Sequence, residues 1–367
     1  MTKVEVQPFD KDWFSRPGDS VLSAMRRRRV SPSAVAERLP GGMPQLRELL
    51  SGFGEIDENT AFALSGAIGG SATFWISRQE KYLAALSQAV EQLSKEEADA
   101  WLAQIPTPGP KRRITANTRT FELERRLAYF GVSTLKSWDG RYGPNQRVAR
   151  FRRSLTFTPH DGATSMWLRE GELEANLHQT DAWSREVLES RLTAIRALSR
   201  IRKPSRFLKP LAALLASCGV ALVIVKAPQG CRASGASRMI APDKAMILMS
   251  FRHRADDHFW FTLFHEIGHL LLHEGAPFVD VEGMDVADDP YEREANVFAA
   301  TMIVPKDREA ELESLPARDE PIRRFAVSLG VSPGMILGQL QHRRIVPHGV
   351  LRRLRRHWTW EEIFAED

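Results

Sequence analysis

The sequence contains little cysteine. Cys218 and Cys231 are the only two cysteines among 367 residues, and they form no CxxC pair. Two isolated cysteines can build neither a disulfide framework nor a cysteine-based metal site. This scarcity favours a reducing compartment, and we expect a cytoplasmic protein.

The sequence also lacks long hydrophobic runs. Its first ten residues, MTKVEVQPFD, carry charges and do not contain the apolar core of a signal peptide. The longest apolar stretch, residues 211–225, is interrupted by Ser217 and Gly219 and is shorter than the roughly 20 residues that a membrane helix requires. We therefore expect no export signal and no membrane contact.

The net charge is +5, and the positive excess occurs in short runs. These runs are Arg26–Arg29, Lys111–Arg113, Arg150 with Arg152 and Arg153, and Arg352–Arg356. Most such runs are solvated faces, but a run beside DNA-binding helices would attract phosphate.

Residues 17–85 have the boundaries of five short helices. The first begins at Pro17-Gly18, and the third, Pro44–Ser51, turns its leucines inward. Capping or helix-stopping residues mark the other boundaries: Ser31, Gly52, Asp57 and Ser71. Two short helices joined by a tight glycine turn and flanked by further helices are typical of a helix-turn-helix arrangement.

This segment resembles the antitoxin-type and phage-repressor-type helix-turn-helix family. The resemblance depends on Pro17-Gly18 at the start and on Phe74-Trp75 with Tyr82 at the end. It implies that the segment binds DNA, although Pro44 stands where a base-reading residue often lies. The candidate DNA contacts are Gln45, Arg47, Arg26, Arg27, Arg28 and Arg29.

The rest of the chain divides by its pattern of apolar residues. Residues 93–205 are helical with a proline-rich break at 106–110, and we interpret Trp138, Trp167 and Trp183 as core packing. From residue 206 the pattern predicts an apolar helix, a strand over Val220–Val225, a loop containing Gly230 and Gly235, a strand over Ala245–Phe251 and then a further helix. A helix pair over Pro321–Gln341 follows, which we expect to pack on that domain.

The helix over 259–273, FWFTLFHEIGHLLLH, carries the chemistry. It is apolar nearly all round, which predicts a central buried helix. His265 and His269 are four residues apart and share one face, so that their imidazoles can bind one zinc ion. Glu266 is displaced by one residue, where it can reach a water molecule on the metal as general base.

A catalytic zinc ion needs a third protein ligand and keeps one position for water. A second helix starts at Asp289-Pro290. On it, Glu292 and Asn296 share one face, whereas Glu294 points about 200° away. We therefore prefer Glu292 as ligand and Asn296 as the acceptor that orients His265. Other candidates for the ligand are Glu294, Asp280, Asp285 and Asp288.

These two helices resemble the ImmA/IrrE family of metallopeptidases. In that family HExxH is followed by an E-x-E-A-N-x-F-A-A helix that ends in proline. The matching residues here are Glu292, Glu294, Ala295, Asn296, Phe298, Ala299, Ala300 and Pro305. The resemblance implies that Glu292 is the third ligand and that the substrate is a helix-turn-helix repressor.

A third histidine, His273, follows the motif on the same helix. His273 lies one turn beyond His269, but a straight helix cannot wrap three consecutive turns around one ion, so we interpret His273 as a satisfied or exposed histidine.

The oxyanion of the transition state needs a donor besides zinc. His253, Arg252, Arg254 and Tyr291 are near in sequence, which does not choose among them.

The sequence thus predicts an α+β protein with four segments. An all-α helix-turn-helix head spans 1–92 and a helical middle region spans 93–205. A small zincin-like (gluzincin) peptidase domain with a short sheet spans 206–310, and a helical extension that packs on it spans 311–367.

The expected function is that of a zinc-dependent endopeptidase holding one Zn²⁺ ion, which cleaves a regulatory protein of repressor or antitoxin type. The alternative is a DNA-binding regulator whose zinc domain senses a signal without proteolysis. The presence of Glu266 favours the enzyme, because zinc binding alone needs no base there. A toxin-antitoxin-like pair is a third interpretation.

Overall fold

The computed structural model describes residues 15–108, 114–115, 117–143, 159–273, 278–281 and 289–365. Its internal contacts divide the chain into two compact units. The first comprises residues 1–179 with 229–231, and the second comprises residues 180–228 with 232–367. Residues 180–205 of the expected middle region therefore lie in the second unit.

The described part of the first unit is helical. Its helices are α1 (Pro17–Arg28), α2 (Pro32–Ala36), α3 (Gly42–Ser51), α4 (Glu58–Ile68), α5 (Ala72–Glu91), α6 (Lys95–Gln104), α7 (Arg119–Phe130), α8 (Leu135–Tyr142) and α9 (Pro159–Leu177). The five helices predicted for the head are α1 to α5. Their small core is formed by buried apolar residues that include Val21, Leu46, Leu50, Leu64 and Trp75.

Local capping explains where these helices begin. Ser31, Asp57 and Ser71 accept backbone N–H groups at the starts of α2, α4 and α5, as predicted. The helix α3 begins at Gly42, two residues before the predicted start at Pro44. Proline is tolerated there because the first N–H groups of a helix have no partner within the helix.

The predicted role of the tryptophans is confirmed. Trp138 and Trp167 are buried in the first unit, and Trp138 meets the ring of Trp101 edge-on with centroids 6.0 Å apart. Trp183 is half-buried against the core of the second unit.

The second unit combines helices with one four-stranded sheet. Its elements are α10 (Arg185–Ala197), α11 (Pro204–Ala216), β1 (Val220–Ile224), β2 (Ala233–Ala241), β3 (Lys244–Met249), α12 (Asp256–Leu272), β4 (Phe278–Val281), α13 (Pro290–Ile303), α14 (Glu309–Glu313), α15 (Asp319–Leu329), α16 (Pro333–His342) and α17 (Trp360–Ile363). Short 3-10 turns occur at Leu198–Arg200, Lys306–Arg308 and Arg352–Leu354. The described chain as a whole is therefore α+β, as predicted.

The sheet has the strand order β1-β3-β2-β4. The strand β3 runs parallel to β1 and antiparallel to β2, and β2 is also antiparallel to β4. We predicted β1 and β3 but placed Gly235 in a loop, which is wrong, because Gly235 lies within β2 and pairs with Met249 of β3. The sequence of β2, ASGASRMIA, consists mainly of small residues with no apolar alternation, so its pairing comes from the neighbouring strands.

The helix α12 runs through the core of the second unit. It packs against α13 and α16 and against the strands β2 and β3. Apolar residues of β1 and β3, such as Leu222 and Ile247, share one buried cluster with Trp260, Leu263 and other α12 side chains. The prediction of a central buried helix is confirmed. None of the helices in the described ranges is both long and apolar enough to cross a membrane.

The first residues of α12 are fixed by the C-terminal segment. Asp256 is fully buried and accepts hydrogen bonds from the backbone N–H of Arg356 at 2.9 Å and from the Ser332 hydroxyl at 2.8 Å. Its neighbour Asp257 forms an ion pair with Arg355 at 2.6 Å. These contacts join the start of α12 to residues about a hundred positions later in the chain.

Asp256 should make the stability of the second unit depend on pH. Burial raises its pKa to about 6 from an ordinary value of 3.8, although the hydrogen bonds from Arg356 and Ser332 oppose this rise. A carboxyl group whose pKa is higher in the folded state stabilises that state while protonated, and this contribution is lost as pH rises through 6. We expect the unfolding free energy to fall by on the order of 3 kcal/mol from pH 4 to pH 7 through this group.

Denaturant titrations over that pH range would measure the effect in the wild type and in Asp256→Asn. The variant should lack this part of the pH dependence, and the exposed Asp243→Asn should retain it. Parallel pH profiles for the wild type and Asp256→Asn would contradict the prediction.

Candidate metal centre

The helix α12 brings three predicted site residues together in the core. His265, Glu266 and His269 are all buried. The Nε2 atoms of the two histidines lie 2.9 Å apart, one helical turn from each other, as their spacing predicted.

The second helix of the site, α13, approaches α12 closely. Asp289 caps it by accepting the N–H of Tyr291, and Pro290 is its first residue, as predicted. At the crossing α12 has Gly268, where an added Cβ atom would lie 3.1 Å from the ring of Phe298 and 3.3 Å from Cα of Ala295. The missing side chain therefore lets α13 approach closely enough for Glu292 to reach the histidines.

The carboxylate of Glu292 closes a triangle with the two imidazoles. Its Oε2 atom is 3.2 Å from Nε2 of His265, and its Oε1 atom is 3.4 Å from Nε2 of His269. Ligand atoms about 2.0 to 2.2 Å from a tetrahedral zinc ion lie about 3.3 to 3.6 Å from one another. The distances in the triangle are close to these values. Among the described residues these three form a group that could hold a metal ion.

The other candidates for the third ligand are placed differently. The Glu294 side chain is 61% exposed and contacts His273 instead, whereas that of Glu292 is 18% exposed. Asp285 and Asp288 lie outside the described residues, and only the backbone of Asp280 is described.

The protonation states of the triangle suit a cation. Burial alone would raise the pKa of Glu292, but its contacts with His265 and His269 outweigh burial and lower that pKa to about 2. Burial lowers the pKa of His269 to about 4, more than Glu292 raises it. At neutral pH the carboxylate is therefore ionised and His269 is neutral, which are the forms that bind metal ions.

In both His265 and His269, Nδ1 is the ring nitrogen on the side away from Glu292, and in each ring it has a polar partner that fixes the ring orientation. The Nδ1 atom of His265 lies 3.0 Å from Oδ1 of Asn296, the partner predicted from the sequence. The Nδ1 atom of His269 lies 3.0 Å from Nδ1 of His273, whose Nε2 atom is 2.9 Å from Glu294. His273 is thus a buried and satisfied histidine, the first of our two interpretations.

Glu266 lies against β2. It is fully buried and accepts a hydrogen bond from the Ser237 hydroxyl at 2.7 Å. An added Cβ atom at Gly235 would lie 2.5 Å from Oε1 of Glu266 and 2.6 Å from Thr262, so only glycine leaves room for this carboxylate. Neither Gly235 nor Ser237 was predicted from the sequence as a site residue. A glycine inside a strand often indicates close approach of another group, a signal that was available once β2 was known.

Of the four oxyanion candidates, Tyr291 lies beside the histidines. Its ring meets the ring of His273 edge-on, with centroids 4.7 Å apart. His253 stacks on His258 with centroids 4.2 Å apart, and Arg252 donates to the backbone oxygen of Arg232.

The predicted DNA contacts of the first unit are partly engaged within that unit. Gln45 accepts the N–H of Gly41 at 2.8 Å and donates to Thr60 at 2.8 Å. Two arginines contact α9: Arg47 forms an ion pair with Glu174, and Arg26 donates to Asn176 at 2.9 Å. Arg27, Arg28 and Arg29 are exposed at the end of α1.

The buried HExxH helix, the close second helix and the His-His-Glu group together define a metallopeptidase-like domain. Residues 228–341 match the family model Peptidase_M78, described as the IrrE N-terminal-like domain. The match supports an ImmA/IrrE-type peptidase and confirms the resemblance found from the two motifs. Comparisons with curated proteins and with solved structures gave no match.

The triangle predicts how metal binding responds to substitution. We expect the protein to bind about one zinc ion and to lose it in His265→Ala and Glu292→Ala, since each removes one of three ligands. Glu294→Ala should still bind one ion at saturating zinc, because Glu294 lies outside the triangle. Elemental analysis after equilibration with zinc would measure the stoichiometry. Loss of the ion in Glu294→Ala together with its retention in Glu292→Ala would reverse the ligand assignment.

Proposed function

We propose that the second unit is a zinc-dependent endopeptidase. His265, His269 and Glu292 would hold the ion, and the closeness of their donor atoms is the observation that carries the proposal. The donor set suits zinc, which takes two histidines and one glutamate in peptidases and keeps a position open for water. A bound zinc ion lowers the pKa of its water molecule to about 7 and polarises the substrate carbonyl.

Glu266 supplies the proton transfer. It takes a proton from the attacking water as the water oxygen bonds to the carbonyl carbon of the substrate. It then returns that proton to the amide nitrogen as the C–N bond breaks, so the leaving group departs as a neutral amine. The Ser237 hydroxyl holds one carboxylate oxygen, Oε2, and so limits the orientations that Glu266 adopts. Asn296 fixes the ring of His265 through Nδ1.

The proposed substrate is a regulatory protein of the repressor or antitoxin class, cleaved in the cytoplasm. The family match over residues 228–341 supports a peptidase, and the helical first unit in the same chain supports a regulatory setting. We further propose that α1 to α5 form a helix-turn-helix module whose exposed arginines Arg27–Arg29 contact DNA phosphates.

A substitution of Glu266 distinguishes the proposed peptidase from the alternative, a zinc-bound sensor that cleaves nothing. Glu266→Gln is nearly isosteric, and glutamine still accepts a hydrogen bond from Ser237, so the fold and the metal should be retained. Proteolysis should fall by orders of magnitude, because an amide cannot take up the proton. The variant can serve as a trap to capture the substrate, and the fragments made by the wild-type protein would then be mapped by mass spectrometry.

A matched control is Glu320→Gln, the same change at an exposed position of the second unit, which should cleave normally. If Glu266→Gln supports the cellular function as well as the wild-type protein does, proteolysis is not that function. The domain would then act as a zinc-bound sensor.

The contacts of α9 predict how the head responds to a change in charge. Glu174→Gln should release Arg47 from its ion pair and make α3 available to phosphate. We expect the full-length variant to bind duplex DNA several-fold more tightly at low salt. Its log K should also fall more steeply with log salt, by about 0.9 for one added phosphate contact.

Fluorescence anisotropy with labelled duplex at several salt concentrations would measure both quantities. Glu170→Gln makes the same change of charge one turn earlier on α9 and should bind like the wild-type protein. Adding Arg47→Ala to Glu174→Gln should remove the increase in DNA affinity. If neither the wild-type protein nor Glu174→Gln binds DNA at low salt, the head is better explained as a module that contacts another protein.

A further inference from the structure

We propose that His273 and Glu294 are positioning residues that hold His269 in the ring orientation and tautomer needed to bind the metal ion. The proposal rests on the zinc site proposed above. It assigns a function to a histidine and a glutamate that lie outside the ligand triangle.

The observation is a continuous chain of close polar contacts. Nε2 of His269 faces Glu292 and His265, and its other ring nitrogen, Nδ1, lies 3.0 Å from Nδ1 of His273. The far nitrogen of His273, Nε2, lies 2.9 Å from the Glu294 carboxylate. The chain therefore runs from a buried ligand to a side chain that is 61% exposed.

For neutral rings, metal binding permits one arrangement of protons along this chain. Nε2 of His269 must present its lone pair to the metal, so the proton of that ring is on Nδ1. This N–H can donate to Nδ1 of His273 only if that nitrogen is unprotonated, which places the second proton on Nε2 of His273. Glu294 then accepts it as a carboxylate. Every donor in the chain meets an acceptor, and the chain ends on a negative charge.

The contact between His269 and His273 is buried, so that water does not replace it. His273 is 5% exposed, and the ring of Tyr291 packs edge-on against it. Bulk water is therefore kept from the contact between the two rings. A carboxylate behind a ligating histidine fixes the ring and increases its basicity, and the loss of such a partner typically weakens metal binding about 10- to 100-fold.

The two ligand histidines are thus supported in different ways. His265 has the neutral amide oxygen of Asn296, whereas His269 has an imidazole with a carboxylate beyond it. Both supports are completed from α13, which also supplies Glu292. If His273 only filled space, removing Glu294 would not change metal affinity.

The affinity for zinc tests the proposal without a substrate. Competition with a chromophoric chelator at pH 7 would measure the dissociation constant of the full-length protein and its variants. We expect Glu294→Ala to weaken zinc binding about 10- to 100-fold. Glu294→Gln should lose less, because the amide oxygen still accepts from the His273 N–H. The exposed neighbour Arg293→Ala should match the wild-type protein.

A second measurement reports the tautomers themselves. In ¹⁵N-labelled, zinc-loaded protein, NMR correlations should show His269 protonated on Nδ1 and His273 protonated on Nε2. His273→Ala should weaken zinc binding like Glu294→Ala. Because Glu294 is largely exposed, Glu294→Ala should fold even if the buried His273→Ala does not.

The outcomes separate the two proposals. If the wild-type protein binds zinc and Glu294→Ala binds it equally well, or if His273 carries its proton on Nδ1, the positioning proposal is overturned and the zinc site stands. If the wild-type protein binds no zinc, both fail. Weakened binding in Glu294→Ala together with the expected tautomers supports the positioning role, whatever proteolysis assays show.

Discussion

The structure of the second unit depends on burying α12, a helix that takes ionisable side chains into an apolar core. His265, Glu266 and His269 are all buried, and a buried ionisable group without partners costs several kcal/mol. Neighbouring elements must therefore supply partners at fixed positions. They do so from two directions, because β2 contacts the carboxylate of Glu266 and α13 contacts the histidines. The packing of both elements therefore has to satisfy polar groups as well as apolar ones.

The features that could be predicted from the sequence are those set within one helix or at its ends. The spacing of His265 and His269 gives their separation directly, because both lie on one regular helix. The shared face of Glu292 and Asn296 follows in the same way, and capping residues such as Asp57 act on N–H groups only a few residues away. For the same reason the starts of α2, α4 and α5 agree with the predicted caps, whereas α3 begins two residues before its predicted start. Their assignment as a DNA-binding module depends on partners outside the chain, so it stays a prediction.

The features that were missed depend on residues far apart in sequence. Ser237 contacts Glu266 across 29 residues, and Arg356 contacts Asp256 across 100 residues. The pairing of Arg47 with Glu174 spans 127 residues and engages a side chain that looked available for DNA. The strand β2 was missed because its small residues carry no alternating pattern. Those same residues let α12 approach the sheet, so the property that places Glu266 also removes the sequence signal.

The spacing of Glu292, Glu294 and Asn296 on α13 has a physical explanation. Successive residues of a helix are rotated by about 100°, so Glu292 and Asn296 point within about 40° of each other and Glu294 points to another side. The shared direction brings Glu292 and Asn296 to His265. The Glu292 carboxylate lies beside Nε2 of this ring, and Oδ1 of Asn296 lies beside Nδ1. The other direction leaves Glu294 mostly in water, where it reaches the end of α12 at His273. Moving any of the three by one residue would rotate it by about 100° and break its contact, so the helical geometry of α13 explains why these residue types occupy alternate positions.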